Sequence, residues 1–190
     1  MSSGFKKTTG ALKRKPFLTP VWLAAIAAAV VLTFVTWLWG TADSTTVIVI
    51  RHAEKELNGA QDPPLSAAGE ARAAQLARMF GNRGGPGQVS AIYISPLVRT
   101  RMTAAPLAAA LGIQPVEMPA DDPRSLVRRV LKDNSGGRVL VIGHADTVPQ
   151  IVALLAGTSA GPALADNEYG TLYIVSVPRI GRANVLRLNF

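Results

Sequence analysis

Cysteine is absent from the 190 residues, and histidine occurs only as His52 and His144. The first absence excludes disulfide frameworks, cysteine nucleophiles and thiolate metal sites. So little imidazole argues against a zinc site built mainly from histidine. Aromatic residues make up 6% and charged residues 17%, whereas hydrophobic residues reach 48%. That balance suits neither a disordered chain nor a coiled coil. Acidic residues are missing before position 20, where five of the 20 basic residues lie (Lys6, Lys7, Lys13, Arg14, Lys15). Over residues 43–190 fifteen basic groups face twelve acidic ones, so the formal charge of +8 is largely a property of the N-terminal tail. A mildly basic domain accepts an anionic small molecule, but it is no nucleic-acid signature.

One long hydrophobic run is present. Val21 to Trp39 is 19 residues without a charge, with Trp22 near one end and Trp37 and Trp39 near the other. At about 1.5 Å rise per residue such a helix nearly matches a hydrocarbon core of about 30 Å. Tryptophans are favoured at both interfaces of a bilayer. The cations precede the run and the next one is Arg51, so the positive-inside rule expects a cytoplasmic N-terminus and an exported domain. In a bacterium this is a single-pass inner-membrane protein with a periplasmic domain. Gly40-Thr41-Ala42 also offers a cleavage site, but the apolar stretch exceeds the usual 7–15 residues of a signal peptide, which favours a retained anchor. The expected organisation is a basic tail over 1–20, an anchor over 21–40, a linker over 41–45 and a domain over 46–190.

Within the domain, β-branched runs alternate with alanine-rich helical patterns. Strands are expected at Thr46–Ile50, Ala91–Ile94, Arg138–Ile142, Thr171–Val177 and Asn184–Leu188, with a short extended piece near Pro115-Val116. Helices are expected from Ser66, as N-cap, to about Phe80, after Ile94 to about Ala110, at Arg124–Lys132 and at Thr147–Ala156. Alternation of this kind predicts an α/β domain, a three-layer α/β/α sandwich around a mainly parallel sheet.

Ligands of open α/β sheets bind at the carboxyl ends of the strands. Three strands here run into Arg51-His52-Ala53-Glu54, Ser95-Pro96-Leu97-Val98-Arg99 and Gly143-His144-Ala145-Asp146. Parallel strands would bring both histidines and two arginines to one pocket. Unpaired, such cations favour a dense anion, and the arginine fork matches phosphate bidentately. A neutral imidazole can attack phosphorus, giving a phosphohistidine that water hydrolyses, while guanidiniums stabilise charge on the equatorial oxygens. That chemistry calls for no metal and no cofactor.

These segments resemble the signatures of the histidine phosphatase superfamily, the phosphoglycerate-mutase-like group, over about residues 46–177. Arg51-His52-Ala53-Glu54 is similar to its Arg-His-Gly-Glu, and Leu65-Ser66-x-x-Gly69 to its Leu-Thr-x-x-Gly helix start. Ser95-x-Leu97-x-Arg99 through Thr103-Ala104 is similar to its Ser-x-Leu-x-Arg-Ala-x-Gln-Thr-Ala, and Gly143-His144 to its second histidine motif. The resemblance implies that His52 is the phosphate-accepting nucleophile, that Arg51 and Arg99 bind phosphate, and that His144 hydrogen-bonds the phosphoryl oxygens. Asn58, six residues after His52, corresponds to a phosphate-contacting asparagine of the mutases. Met102 stands where the family often has glutamine, and Ala145 where the phytase-like branch has its acidic residue. Asp146 is then an N-cap candidate. The mutase-like acid comes from a segment in which this chain offers Glu117, Asp121 and Asp122, with Asp121 or Asp122 the candidates for a general acid. The expected activity is hydrolysis of a phosphomonoester on a phosphorylated small molecule or envelope component. The alternatives are a phosphotransferase or mutase on a sugar phosphate, and a non-catalytic phospho-ligand binding module.

Overall fold

The computed structural model of the protein describes residues 21–41, 44–82, 84–85 and 87–190, with side chains of the first segment described over 21–37. The chain divides into two units between Trp39 and Gly40. In the first, α1 spans Val21–Thr41. Among the described residues no helix is long and apolar enough to cross a membrane. The basic tail over 1–20, residues 42–43 of the expected linker and the side chain of Trp39 lie outside the described residues, while Thr41 ends α1 and Ser44 and Thr45 already belong to a strand.

The second unit runs β1 (Ser44–Arg51), α2 (Ala67–Phe80), β2 (Ala91–Ile94), α3 (Val98–Leu111), β3 (Val116–Glu117), α4 (Pro123–Asp133), β4 (Arg138–Gly143), α5 (Thr147–Ala156), β5 (Thr171–Pro178) and β6 (Asn184–Asn189). β1 begins two residues earlier than its hydrophobic run, because Ser44 and Thr45 already pair with Pro178 and Val177.

The strands form one sheet in the order β3-β2-β4-β1-β5-β6. β3, β2, β4 and β1 pair in parallel, whereas β1–β5 and β5–β6 are antiparallel. The sheet is therefore mixed: the expected parallel part is β3, β2, β4 and β1, and β5 and β6 add antiparallel strands at one edge. The reason lies in residues 157–170. A helix that follows a parallel strand normally delivers the chain to the opposite edge, where the next parallel strand starts. Here the segment after α5 travels back, and its carbonyls at Ala165, Asp166 and Glu168 meet Arg51 at the carboxyl end of β1. β5 consequently starts at that end and runs the other way.

Alternation within the strands builds two cores. Val47, Val49, Val139, Val141 and Val175 face α4 and α5, through Leu126, Val130, Val148 and Ile151. Ile48, Ile50, Ile92, Leu140 and Ile142 face α2 and α3, through Leu76, Ala104 and Leu107. With both faces covered, the central strands read as continuous apolar runs. Each fully buried Val, Leu or Ile side chain contributes about 1.5–3 kcal/mol. These two layers make the sheet the rigid base of the site.

Candidate active site

The register of the parallel strands decides where the polar residues meet. Arg51 pairs with Gly143 and Ile94 with Ile142, so β1, β2 and β4 end at one level. The residues that follow, His52, Ser95 and His144, are all buried. The His52 N–H donates to the Gly143 carbonyl at 2.9 Å, which carries the ladder one residue past the strand. A side chain at Gly143 would press on Thr147, with an added Cβ 2.9 Å from its Oγ1, so β4 and the start of α5 come together there.

The imidazole rings of His52 and His144 lie 5.3 Å apart, centroid to centroid, at 58° to each other. His52 Nδ1 is 2.7 Å from the carbonyl of Ala53. A carbonyl only accepts, so Nδ1 carries the hydrogen and Nε2 carries the lone pair. Burial, with further repulsion from His144, Arg51 and Arg99, lowers the His52 pKa from 6.5 to about 4. The ring is thus neutral at physiological pH, with one nitrogen available as a nucleophile. Burial and the same arginines also lower the pKa of His144, while Asp146 and Asp62 oppose that shift.

Arg51 is held from outside the ligand position. Its Nη1 donates to the carbonyls of Asp166 at 2.8 Å, Ala165 at 3.2 Å and Glu168 at 3.3 Å. Its guanidinium stacks over the Tyr169 ring at 4.2 Å, a favourable cation–π distance. The Arg51 Nε is buried without a partner. Arg99 is anchored likewise, its Nη1 donating to Asp62 at 3.3 Å while its Nε is buried and unpartnered. Asp62 also accepts from the Val98 N–H at 3.0 Å, at the start of α3. Two positively charged forks with unsatisfied buried donors, beside two neutral imidazoles, favour a tetrahedral anion.

The helix motifs lock the segment after His52 in place. The Ser66 N–H donates to the Glu54 carbonyl at 2.9 Å, and Ser66 Oγ accepts from the Gly69 N–H as the N-cap of α2. The Ala53 N–H donates to Thr103 Oγ1 at 3.0 Å, and that hydroxyl donates to the Arg99 carbonyl. Met102 packs against Ala53, Leu65 and Ala73 and accepts from the Leu65 N–H through its sulfur at 3.5 Å.

Of the expected residues, Arg51, His52, Arg99 and His144 meet at these strand ends, and the acidic candidates separate. Asp122 caps α4, accepting from the Ser125 N–H at 2.9 Å, and hydrogen bonding from the Ser125 hydroxyl and N–H lowers its pKa. A carboxyl so stabilised as the anion is a poor proton donor. Glu117 is exposed and paired with Arg101 at 2.7 Å. Asp121 lines a cleft of about 330 Å³ together with Arg99, His144, Asp146 and Gln150. Asp146 occupies the N-cap position of α5 without making the side-chain cap bond expected of it. Thr147 Oγ1 accepts from the His144 N–H at 2.9 Å, ahead of the helix. Asn58 is exposed, and its Oδ1 accepts from the Ala60 N–H at 3.1 Å within its own turn. Among the described residues no group of three or more His, Asp or Glu side chains is placed to hold a metal ion.

Sequence reasoning missed Asp62 and Tyr169. Asp62 reaches Arg99 across 37 residues and Tyr169 reaches Arg51 from the far side of four helices, and no local spacing signals either contact.

Residues 47–121 match the sequence model of the histidine phosphatase superfamily (branch 1). No curated protein matches the chain. Among solved structures, the domain is similar to the protein histidine phosphatase SixA in complex with tungstate, with TM-score 0.63 and 18% identity, over 76% of this chain and 96% of that one. It is also similar to a mycobacterial glucosyl-3-phosphoglycerate phosphatase, with TM-score 0.60 and 17% identity, over 77% of this chain and 99% of that one. A third is the phosphoserine phosphatase of Entamoeba histolytica in complex with 3-phosphoglyceric acid, with TM-score 0.56 and 17% identity over 77% and 97%. The matched residues include Arg51, His52 and Arg99, and the domain shares its fold with these solved structures.

Proposed function

We propose that the protein is a phosphatase that hydrolyses a phosphomonoester through a phosphohistidine on His52. The observation that carries this reading is the 2.7 Å contact between His52 Nδ1 and the Ala53 carbonyl, which leaves Nε2 of a neutral ring as the nucleophile. Nε2 attacks phosphorus, the ester P–O bond breaks, and the leaving oxygen takes a proton to become an alcohol. The positive charge that develops on the ring is stabilised at Nδ1–H by the same carbonyl. Water then attacks phosphorus, the P–N bond breaks, and its electron pair returns to Nε2 as phosphate leaves. Arg51 and Arg99 hold the phosphoryl oxygens, with Nε of each as the free buried donor. The three similar structures named above are of phosphatases, which supports the reaction class.

The anchor and its orientation belong to the same proposal: an uncharged run over Val21–Trp39 behind a basic tail would hold the domain at the outer face of a bacterial inner membrane. Its substrate is then a phosphorylated small molecule or a phosphate group on an envelope component.

The test is hydrolysis of 4-nitrophenyl phosphate by the full chain in detergent, with EDTA present, together with rapid trapping of an acid-labile, base-stable phosphoprotein. Wild type is expected to turn over and to be labelled, and His52→Ala to do neither while keeping its far-UV circular dichroism. Turnover by His52→Ala overturns the nucleophile. Transfer to an added alcohol in preference to water replaces the hydrolase with a phosphotransferase.

A further inference from the structure

His144 Nε2 lies 3.0 Å from Ser95 Oγ, and Ser95 Oγ lies 3.0 Å from Thr100 Oγ1. Thr100 Oγ1 in turn lies 2.8 Å from the carbonyls of both Ser95 and Leu97. All three side chains are buried, Thr100 completely. Neither distance says which atom donates, but the end of the chain does. Carbonyls cannot donate, so the single hydroxyl hydrogen of Thr100 is drawn to them, leaving only a lone pair for Ser95. Ser95 must then give its own hydrogen to Thr100, since otherwise two oxygen lone pairs would face each other at 3.0 Å. A lone pair of Ser95 Oγ is left for His144, so Nε2 is the nitrogen that carries hydrogen. In a neutral ring the other nitrogen, Nδ1, is then bare, and it is buried without any partner.

We propose that Ser95 and Thr100 are positioning residues that hold His144 as its Nε2–H tautomer, so that Nδ1 is the basic nitrogen presented to the bound phosphate. This rests on the phosphatase reading and supplies the proton path that it leaves open. A phosphomonoester monoanion gives its P–O–H hydrogen to His144 Nδ1 on binding, forming an imidazolium and the dianion. When His52 Nε2 displaces the ester oxygen, that hydrogen passes from Nδ1 to the leaving alkoxide, and His144 is neutral again. In the second half, the attacking water gives a hydrogen to Nδ1 and Nδ1 returns it to the departing phosphate. Each proton taken up is released within the cycle. The charged and titratable groups around the ring are His52 and Arg51 from the end of β1, Arg99 from α3, Asp62 from the loop between β1 and α2, Asp121 from the segment before α4, which lines the same cleft, and Asp146 beside it in sequence. A protonated His144 would face the two arginines, which makes the phosphate charge necessary for that state.

The chain has only two histidines, so imidazole ¹⁵N spectra are readily resolved. With the full chain in detergent, long-range ¹H–¹⁵N spectra near neutral pH are expected to show the Nδ1–H form for His52 and the Nε2–H form for His144. Adding inorganic phosphate is expected to move His144, not His52, towards the doubly protonated form. Thr100→Val keeps volume and removes the hydroxyl, which frees Ser95 to donate to Nε2. It is expected to turn His144 towards Nδ1–H and to lower kcat about tenfold or more, with little change in KM. Thr100→Ser loses the buried methyl but keeps the hydroxyl, and should retain the wild-type tautomer and most of kcat. A role in packing alone would reverse that order, with Thr100→Ser the worse enzyme. Finding wild-type His144 as Nδ1–H overturns the proposal outright. The spectra need no turnover, so failure of the phosphatase reading is visible separately, as a correct tautomer in a protein that hydrolyses nothing.

Discussion

Gly69, in the first turn of α2, lies so near the Glu54 carbonyl that a Cβ built on it would stand 2.1 Å from that oxygen. The carbonyl belongs to the segment directly after His52, and the Ser66 N–H and hydroxyl already bond it. Gly69→Ala is therefore expected to push α2 away from the nucleophile's segment rather than be absorbed by a flexible side chain. Overpacking of this kind costs about 1–3 kcal/mol, read as a lower urea midpoint. Ser66→Ala, which only removes the N-cap acceptor, should cost about 1 kcal/mol and spare activity.

Arg99→Lys keeps the charge and loses the fork. The guanidinium binds Asp62 with one nitrogen and keeps a buried, unpartnered Nε for the ligand, a division that a single ammonium cannot copy. Loss of one charged hydrogen bond of about 1.5–3 kcal/mol predicts a fall in kcat/KM of about tenfold to hundredfold. Steady-state kinetics on 4-nitrophenyl phosphate check this, and an Arg99→Lys enzyme that performs as well as wild type would refute the two-sided arrangement.

Stability should fall as pH drops through the histidine range. His52 has a folded pKa of about 4 against an ordinary 6.5, so between those values the unfolded chain binds more protons. The folded state is at its best above pH 6.5 and loses on the order of 3 kcal/mol by pH 4. His144, also lowered, adds to the same slope. Glu54, held below its ordinary 4.5 by Arg72, contributes a further loss only at still lower pH. Urea unfolding between about pH 4.5 and 6.5 isolates the histidines, and His52→Gln should flatten that slope markedly.

His52→Asn should abolish the trapped phosphoprotein in a protein that still folds, at a modest stability cost near neutral pH, because a buried neutral imidazole is exchanged for a smaller neutral amide. Retained labelling would move the nucleophile elsewhere.

Much of this was legible in the chain because it is local. The valine and isoleucine runs of β1, β2 and β4 announced strands buried on both faces, and Ser66 announced the start of α2. Both histidines could be placed at strand ends for the same reason. What escaped depends on distant backbone. Asp146 stands where an N-cap belongs, yet its own backbone is already helical and its side chain caps nothing, while the Thr147 hydroxyl turns back to accept from the His144 N–H ahead of the helix. Asp122 spends its carboxylate on α4, and Asn58 its side-chain oxygen on its own turn. Periodicity cannot distinguish a carboxylate that caps from one that faces a cleft.

The linear order of residues determined which side chains were available: two imidazoles, forked cations after two strands, and no thiol. Tertiary structure alone decided their states. The Ala53 carbonyl selects the nitrogen of His52 that stays basic, burial keeps that ring uncharged, and the carbonyls of Ala165, Asp166 and Glu168 aim Arg51. The Ala53 carbonyl is adjacent in sequence, but desolvation, and the Arg51 acceptors brought in across more than a hundred positions, lie beyond any short window of sequence.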